Sequence, residues 1–447
     1  MKGQNIMNIV FPGINNEDIE YALECLDDCK QPNAEMYGFM YPYFTPGGMY
    51  GKQWWQLDSS LALSGYKWID RGFSETSLWN FIESQKEDGR ICLWGRDSLA
   101  PAEGEENGLS QTEGVSSLPK LFDVTYHILK GSENEKLKKA AYQMLKKYLE
   151  WWFSARLHTE TGLITSVFEE TFIPYFGCAG EYAAVDTNVE VFVGCHYTCL
   201  LAKELGDTNY AELLEKRMSS LKKSINKYLW NEDKEAFYPY DTKEKNSVDI
   251  LMASTFNPLR FCIVDQDKKE KLLNLMKDDD HFNWNTIPLT SVSKKDKIFT
   301  TTEGNYMGNP SWSGNCWTLT NEVVVRGLLD SGEEELAAEL ALKTIRAFNH
   351  NLSEFVNPFD GKGHGVLKYA WTASQYLELL IEVIFGINYD AKNKEIIISP
   401  KLTKELSEEN LALENLNVTD DISISVYIER GKVDYKISDS IINVMVK

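Results

Sequence analysis

In NNEDIEYALECLDDCK, residues 15–30, apolar side chains recur at the three- and four-residue spacing of one helix face, and Asn16 reads as the N-cap. The same period predicts helices near 57–71, 74–86, 112–131, 134–157, 186–206, 208–229, 248–262, 267–277, 316–331, 333–350 and 370–385, most of them apolar over a broad face. Their connections alternate in length. Short polar turns such as LGDTNY (205–210) and LDSGEEE (329–335) join some pairs. Long segments rich in Gly, Pro and aromatics separate others: 31–56, 88–111, 158–185, 231–247, 278–315 and 351–369. Loops that long inside a compact unit usually carry function. A dozen paired helices with every second connection long predict two concentric rings, a mainly α (α/α)6 barrel whose long loops gather at one mouth. A helical solenoid would show a repeat, and none is visible. After Gly386 the period changes to two in KEIIISP (394–400), ISISVYIE (422–429), KVDYKIS (432–438) and IINVMVK (441–447), the pattern of half-buried strands. The expected division is a barrel at 1–387 and a small β domain at 388–447, packed on the barrel because no Pro/Ser-rich linker intervenes.

Charge narrows the partners. The formal net charge of −21 repels phosphate backbones and anionic lipid, so neither nucleic acid nor membrane is an expected partner. No run approaches the roughly 18 apolar residues of a membrane span. The opening MKGQNIMNIVFPGINNEDIE lacks a signal-peptide cleavage site, so a cytoplasmic location is expected and the sequons at Asn351 and Asn417 carry no weight. Cys195, His196 and Cys199 lie close on one predicted helix, but a metal site would need further ligands and the six histidines are scattered. Buried free thiols are the expectation, with no metal and no cofactor. Oligomeric state is not legible.

Candidate chemistry lies in the long loops or just beyond them. TPGGMYGKQWWQLDSS (45–60) sets Trp54, Trp55 and Asp58 after a Pro-Gly-Gly turn. Indole faces stack on sugar C–H faces and a carboxylate accepts from paired hydroxyls, the mixture expected of a concave sugar site. The alternative is two core tryptophans with Asp58 as a helix cap. FEETFIPYFGCAGEYAAVDTN (168–188) holds Glu169, Glu170, Glu181 and Asp186 among aromatics, where burial and like charge raise a carboxyl pKa. Asp186 reads better as the N-cap of the next helix. NPSWSGNCWTLTNE (309–322) adds Trp312 and Trp317, and EFVNPFDGKGHGVLKYAWTAS (354–374) adds Glu354, His364 and Trp371. The GKGHG run lacks phosphate-loop spacing, and neither GxSxG nor HExxH occurs. Separated carboxylates in aromatic loops fit glycoside hydrolysis, one acting as acid and the other as base or nucleophile.

The motif order carries a family resemblance over roughly residues 35–390. PGGMYGKQWWQLDSS resembles the first trehalase signature, PSWSGNCW the second, and EFVNPFDGKGHGVLKYAWTASQYLELL the closing motif. WWFSARLHTETGLI (151–164) and AVDTN (184–188) are similar to blocks of bacterial mannosylglycerate and glucosylglycerate hydrolases and processing α-glucosidases. The resemblance implies an inverting hydrolase of a small α-linked glucoside or mannoside on an (α/α)6 barrel. It puts Glu354 at the general-base position and Asp58, Trp55, Gln85, Arg156, Trp312 and Trp317 at sugar-contacting positions. Three departures stand out. Leu57-Asp58 replaces the family's Trp-Asp, Met49 replaces an arginine, and FEETFIP has no aspartate where these relatives carry the acid. GCAGEYAAVD is similar to a segment of maltose-phosphorylase-type enzymes whose glutamate is the acid, matching Glu181. Glu181 and Glu170 rank equally for that role, with Glu169 behind. An inactive sugar-binding protein, or a sugar epimerase or phosphorylase on a similar barrel, is the alternative.

Overall fold

Two kinds of helix alternate along the chain. The computed structural model describes residues 7–33, 38–95, 114–167, 169–172, 179–301, 310–439 and 441–447. Helices α1 (Asn16–Cys29), α3 (Arg71–Ser84), α5 (Glu135–Ala155), α7 (Thr208–Ser224), α9 (Gln266–Lys277) and α11 (Glu334–Phe348) bury one side and leave the other to solvent. Between them, α2 (Gln56–Tyr66), α4 (Leu121–Lys130), α6 (Val185–Glu204), α8 (Ala253–Cys262), α10 (Thr318–Asp330) and α12 (Ala370–Glu378) are buried on nearly every side. A helix buried all round belongs to an interior. Accordingly each even-numbered helix packs on the next, α2 to α4 to α6 to α8 to α10 to α12, and α12 returns to α2. The odd-numbered helices pack outside this ring, α1 on α12, α7 on α6, α9 on α8 and α11 on α10. This is the expected (α/α)6 barrel. Its seam is tight: the Gly65 amide donates to Ser374 Oγ at 2.8 Å, and a Cβ at Gly65 would lie 2.0 Å from the Ser374 carbonyl oxygen.

Three helix expectations need correction. The N-cap of α1 is Asn15 rather than Asn16; its side chain accepts from the Glu17 and Asp18 amides. The helix expected at 112–131 begins only at Leu121, just past Pro119, and residues 112 and 113 lie outside the described residues. The segment expected as a helix at 248–262 is helical only from Ala253, as 3₁₀ turns containing Pro258, and it breaks at Phe261, whose φ is +48°.

The terminal strands form two sheets. β1 (Asn8–Val10), β4 (Asn410–Asn417), β5 (Ser423–Glu429) and β6 (Lys432–Ile437) make an antiparallel sheet in that order. A second sheet pairs β2 (Ile387–Asp390) with β3 (Glu395–Ile398), and β3 in parallel with β7 (Asn443–Val446). β1, β2 and β4 went unpredicted. Leu413, Val426 and Ile428 belong to the same apolar cluster as Leu61 and Trp152 of the barrel. Among the described residues no helix is long and apolar enough to cross a membrane.

The ring is not apolar throughout. Lys120 Nζ lies 2.9 Å from Asp123, 3.4 Å from Glu322 and 3.8 Å from Glu190. Arg260 bridges Asp123 and Asp330, while Arg326 reaches Glu322, Glu378 and Glu382. Lys67 lies 2.6 Å from Glu382. Glu190 is fully buried, neither of its oxygens accepts a hydrogen bond among the described residues, and burial pushes its carboxyl up to about 7.

Candidate active site

The inner helices begin at one mouth, and several residues that start them are aromatic. Trp55, Trp317 and Tyr369 occupy the N-cap positions of α2, α10 and α12, and none makes a side-chain capping bond. Ser, Thr, Asp or Asn would cap better. Here the position builds a wall instead, because all three line one cavity together with Trp312 and Trp371. Phe172, Trp312 and Trp317 form a near-parallel stack, with centroids 4.0 and 3.7 Å apart.

Among the described residues three carboxylates face this cavity: Asp58, Glu169 and Glu354. Asp58 sits in the first turn of α2 and accepts from Tyr369 Oη at 2.5 Å. Burial pushes its carboxyl up to about 7, opposed by the tyrosine and reinforced by Glu354 and Glu169. Burial and the nearby Glu354 also push Glu169 up to about 7. Glu354 stands before the hairpin of Phe355–Val356 and Gly363–His364. Its Oε2 accepts from the Val366 amide at 3.1 Å, which opposes the upward pull of burial. Gly365, at φ +70°, is required here, since a Cβ would lie 2.3 Å from Glu354 Oε2.

Glu169 is itself in the left-handed region, at φ +64°. Its neighbour Glu170 turns away from the cavity and is fully buried. Arg156 grips Glu170 through two bonds, Nε to Oε2 at 2.7 Å and Nη2 to Oε1 at 2.8 Å. Thus neither Arg156 nor Glu170 lines the cavity.

Other expected site residues are also elsewhere. Trp54 is fully buried against Phe39 and Phe81, with centroids 5.0 and 5.1 Å away, so the core alternative describes it. Successive residues entering a helix face opposite ways, which sends Trp55 to the cavity and Trp54 to the core. Gln85 ends α3 and donates to the Gly89 and Met144 carbonyls. His364 stacks on Phe355 with centroids 6.1 Å apart and does not line the cavity. Asp186 is not the N-cap, which is Ala184; its carboxylate accepts from Thr171 Oγ1 and the Phe172 and Thr187 amides. Glu181 lies in the strand Ala179–Ala183, and its side chain is outside the described residues. Tyr50, Ser117, Phe172 and Tyr369 line the cavity without having been singled out. Tyr50 and Tyr369 stand inside the stretches that carry Trp55 and Trp371, and that proximity was the available signal.

The two tryptophans are expected to part on mutation. Trp54→Ala should lower unfolding stability by about 3–5 kcal/mol in urea titrations, the cost of emptying a core indole site. Trp55→Ala, at the cavity wall, should cost about 1 kcal/mol or less in the same titration.

Residues 175–372 match the family described as mannosylglycerate hydrolase MGH1-like glycoside hydrolase domain. A mannosylglycerate hydrolase of Rubrobacter radiotolerans is 23% identical over 185 residues, 41% of this chain and 40% of its own. The chain spans about half the length of the curated relatives it matches, 58% of one and 40% of another. Among solved structures, the GH63 mannosylglycerate hydrolase of Thermus thermophilus in complex with glucose superposes with a TM-score of 0.65 at 19% identity, over 81% of this chain and 99% of that one. The neutral trehalase of Saccharomyces cerevisiae superposes with a TM-score of 0.58 at 16% identity, over 76% of this chain and 73% of that one. The resemblance read from the motifs thus reappears in sequence family and in fold.

Proposed function

We propose that the protein is an inverting glycoside hydrolase acting on an α-linked glucoside or mannoside, such as a disaccharide, a glycosylglycerate or a short oligosaccharide. One observation carries this reading: Asp58, Glu169 and Glu354 converge on an aromatic-walled cavity, with Asp58 and Glu169 held at about 7. The matched family and the glucose complex of the Thermus enzyme support a small sugar as ligand.

In this reading Glu169 is the acid. It gives its proton to the glycosidic oxygen as the bond to the anomeric carbon breaks. Glu354, kept acceptor-ready by the Val366 amide, takes a proton from the water whose oxygen attacks the opposite face. Asp58, oriented by Tyr369, accepts hydroxyl hydrogen bonds from the sugar, and Trp55 with the Phe172–Trp312–Trp317 stack packs on its C–H faces. Glu170 has both oxygens engaged by Arg156, which makes it a poor proton donor. Glu181 stays the competing acid, and comparing Glu169→Gln with Glu181→Gln decides between them.

The test is a hydrolysis screen of trehalose, kojibiose, nigerose, maltose, isomaltose, glucosylglycerate and mannosylglycerate, with product anomers followed by NMR. Release of the β-anomer from an α-linked substrate is the expected result. First release of the α-anomer would mean retention. Saturable binding of a sugar without turnover would favour the sugar-binding alternative.

A further inference from the structure

Arg156 and Glu170, matched by sequence to sugar contact and to acid catalysis, are joined to each other beside the cavity. Glu170 accepts four hydrogen bonds: two from Arg156, one from the Ser116 amide at 2.9 Å and one from the Val167 amide at 3.2 Å. Its backbone is held as well, with its amide donating to the Val167 carbonyl and its carbonyl accepting from Thr187 Oγ1 at 2.8 Å. Arg156 Nη2 also donates to the Gly114 carbonyl at 2.9 Å, and the guanidinium lies over the Trp151 ring. One residue earlier, the Glu169 carbonyl accepts from the Leu118 amide at 2.9 Å. The segment leading into α4 and Thr187 of α6 therefore hold the chain just after the Glu169 Cα, while the bonds between Val167 and Glu170 close the turn across it.

A glutamate at φ +64° is unfavourable by itself and persists only where its surroundings over-determine it. We infer that the Arg156–Glu170 pair is a positioning clamp that imposes the left-handed backbone at Glu169 and thereby aims its carboxylate into the cavity. This rests on reading Glu169 as the acid. Neither clamp residue lines the cavity. The planar fork of arginine matches the two carboxylate oxygens, and a lysine cannot reproduce it. With the clamp loosened, Glu169 relaxes to negative φ and its carboxyl swings off the glycosidic oxygen.

The test uses Arg156→Lys and Glu170→Gln in the full chain, with Glu169→Gln alongside. Each is assayed on the unactivated α-glycoside found in the screen and on the α-glycosyl fluoride of the same sugar, whose leaving group needs no proton from an acid. Both clamp variants should lose about 10–100-fold in kcat on the unactivated glycoside, with KM within about twofold. On the fluoride they should keep about a third or more of wild-type kcat, as Glu169→Gln does. Equal losses on both substrates would mean a general structural role and overturn the clamp. A rise in KM alone would make Arg156 a sugar contact and overturn it too. If Glu169→Gln spares the fluoride and the clamp variants do not, the clamp fails while the acid assignment stands. If Glu169→Gln leaves the unactivated substrate untouched, or the wild type hydrolyses neither α-glucosyl nor α-mannosyl substrates, both fail together. Should Arg156→Lys not fold, Glu170→Gln, which keeps the side-chain size, carries the comparison.

Discussion

Glu354→Gln is expected to lower kcat by about 10²–10⁴-fold, the span over which a general base acts, while a sugar still binds within a few-fold of wild type. The substitution keeps the shape that fits against Gly365 and the acceptor for the Val366 amide, and removes only the capacity to take a proton. Steady-state kinetics with isothermal titration of the released sugar would separate the two effects; a parallel loss of binding would mean that Glu354 anchors substrate instead. The pH profile follows from the same groups. An acid works only while protonated, so on the proposed assignment, with the Glu169 carboxyl pushed up to about 7, kcat/KM should fall as pH rises through neutrality. A base works only while ionised, and burial raises Glu354 above its ordinary value, so the acidic limb should lie above that of an exposed glutamate. The expected profile is a bell whose alkaline limb lies near pH 7, and Glu169→Gln should erase that limb.

Lys120→Met should destabilise the fold by about 3–5 kcal/mol, because removing one partner strands buried charge on the others. Asp123, Glu190 and Glu322 would then face Arg260 and Arg326, with His127 beside Asp123. Glu190→Gln should act in the opposite direction, and with a pH signature. Its carboxyl is pushed up to about 7 in the fold against 4.5 for an ordinary glutamate, so between those values the folded chain binds more proton than the unfolded one. Stability therefore falls as pH rises through that window, and the penalty is complete above about 7. A shift of this size corresponds to roughly 3 kcal/mol. Urea unfolding at about pH 4 and pH 8, on either side of the window, should find Glu190→Gln close to wild type at the lower pH and more stable at the higher. Equal behaviour at both would show that Glu190 shares the network's charge rather than holding a proton.

The helices were legible because broad apolar faces at a 3.6-residue period announce themselves, and the alternation of short and long connections gave the rings. What escaped had weaker physics behind it. β1 is three residues long and pairs with β4, near the other end of the chain, while β4 carries an irregularity between Leu413 and Leu416 that breaks its alternation. At the site, Trp55, Asp58, Trp312, Trp317, Glu354 and Trp371 line the cavity, as does Glu169, which the sequence ranked last of its three. Two of the residues that lie away from the cavity, Trp54 and Glu170, come from adjacent pairs. Trp54 and Trp55, or Glu169 and Glu170, are indistinguishable by composition, and only the local backbone decides which one faces inward. For Glu169 that backbone is left-handed, a state that no propensity rule assigns to glutamate. The aromatic N-caps escaped for a related reason: a helix start is sought by its capping residue, and here that residue serves the cavity instead.

The seam at Gly65 and Ser374 sets a clock on synthesis. These residues are 309 positions apart. At ~5–20 residues per second, α2 leaves the ribosome about 15–60 seconds before α12 exists to cover its flank. For that interval a helix that ends with every side buried exposes Leu61 and its apolar neighbours to the cell. The ring cannot close progressively, and loop-closure entropy is overcome only at the last contact. The nascent barrel is thus a natural client for chaperones that hold apolar surface, up to the moment its last inner helix emerges.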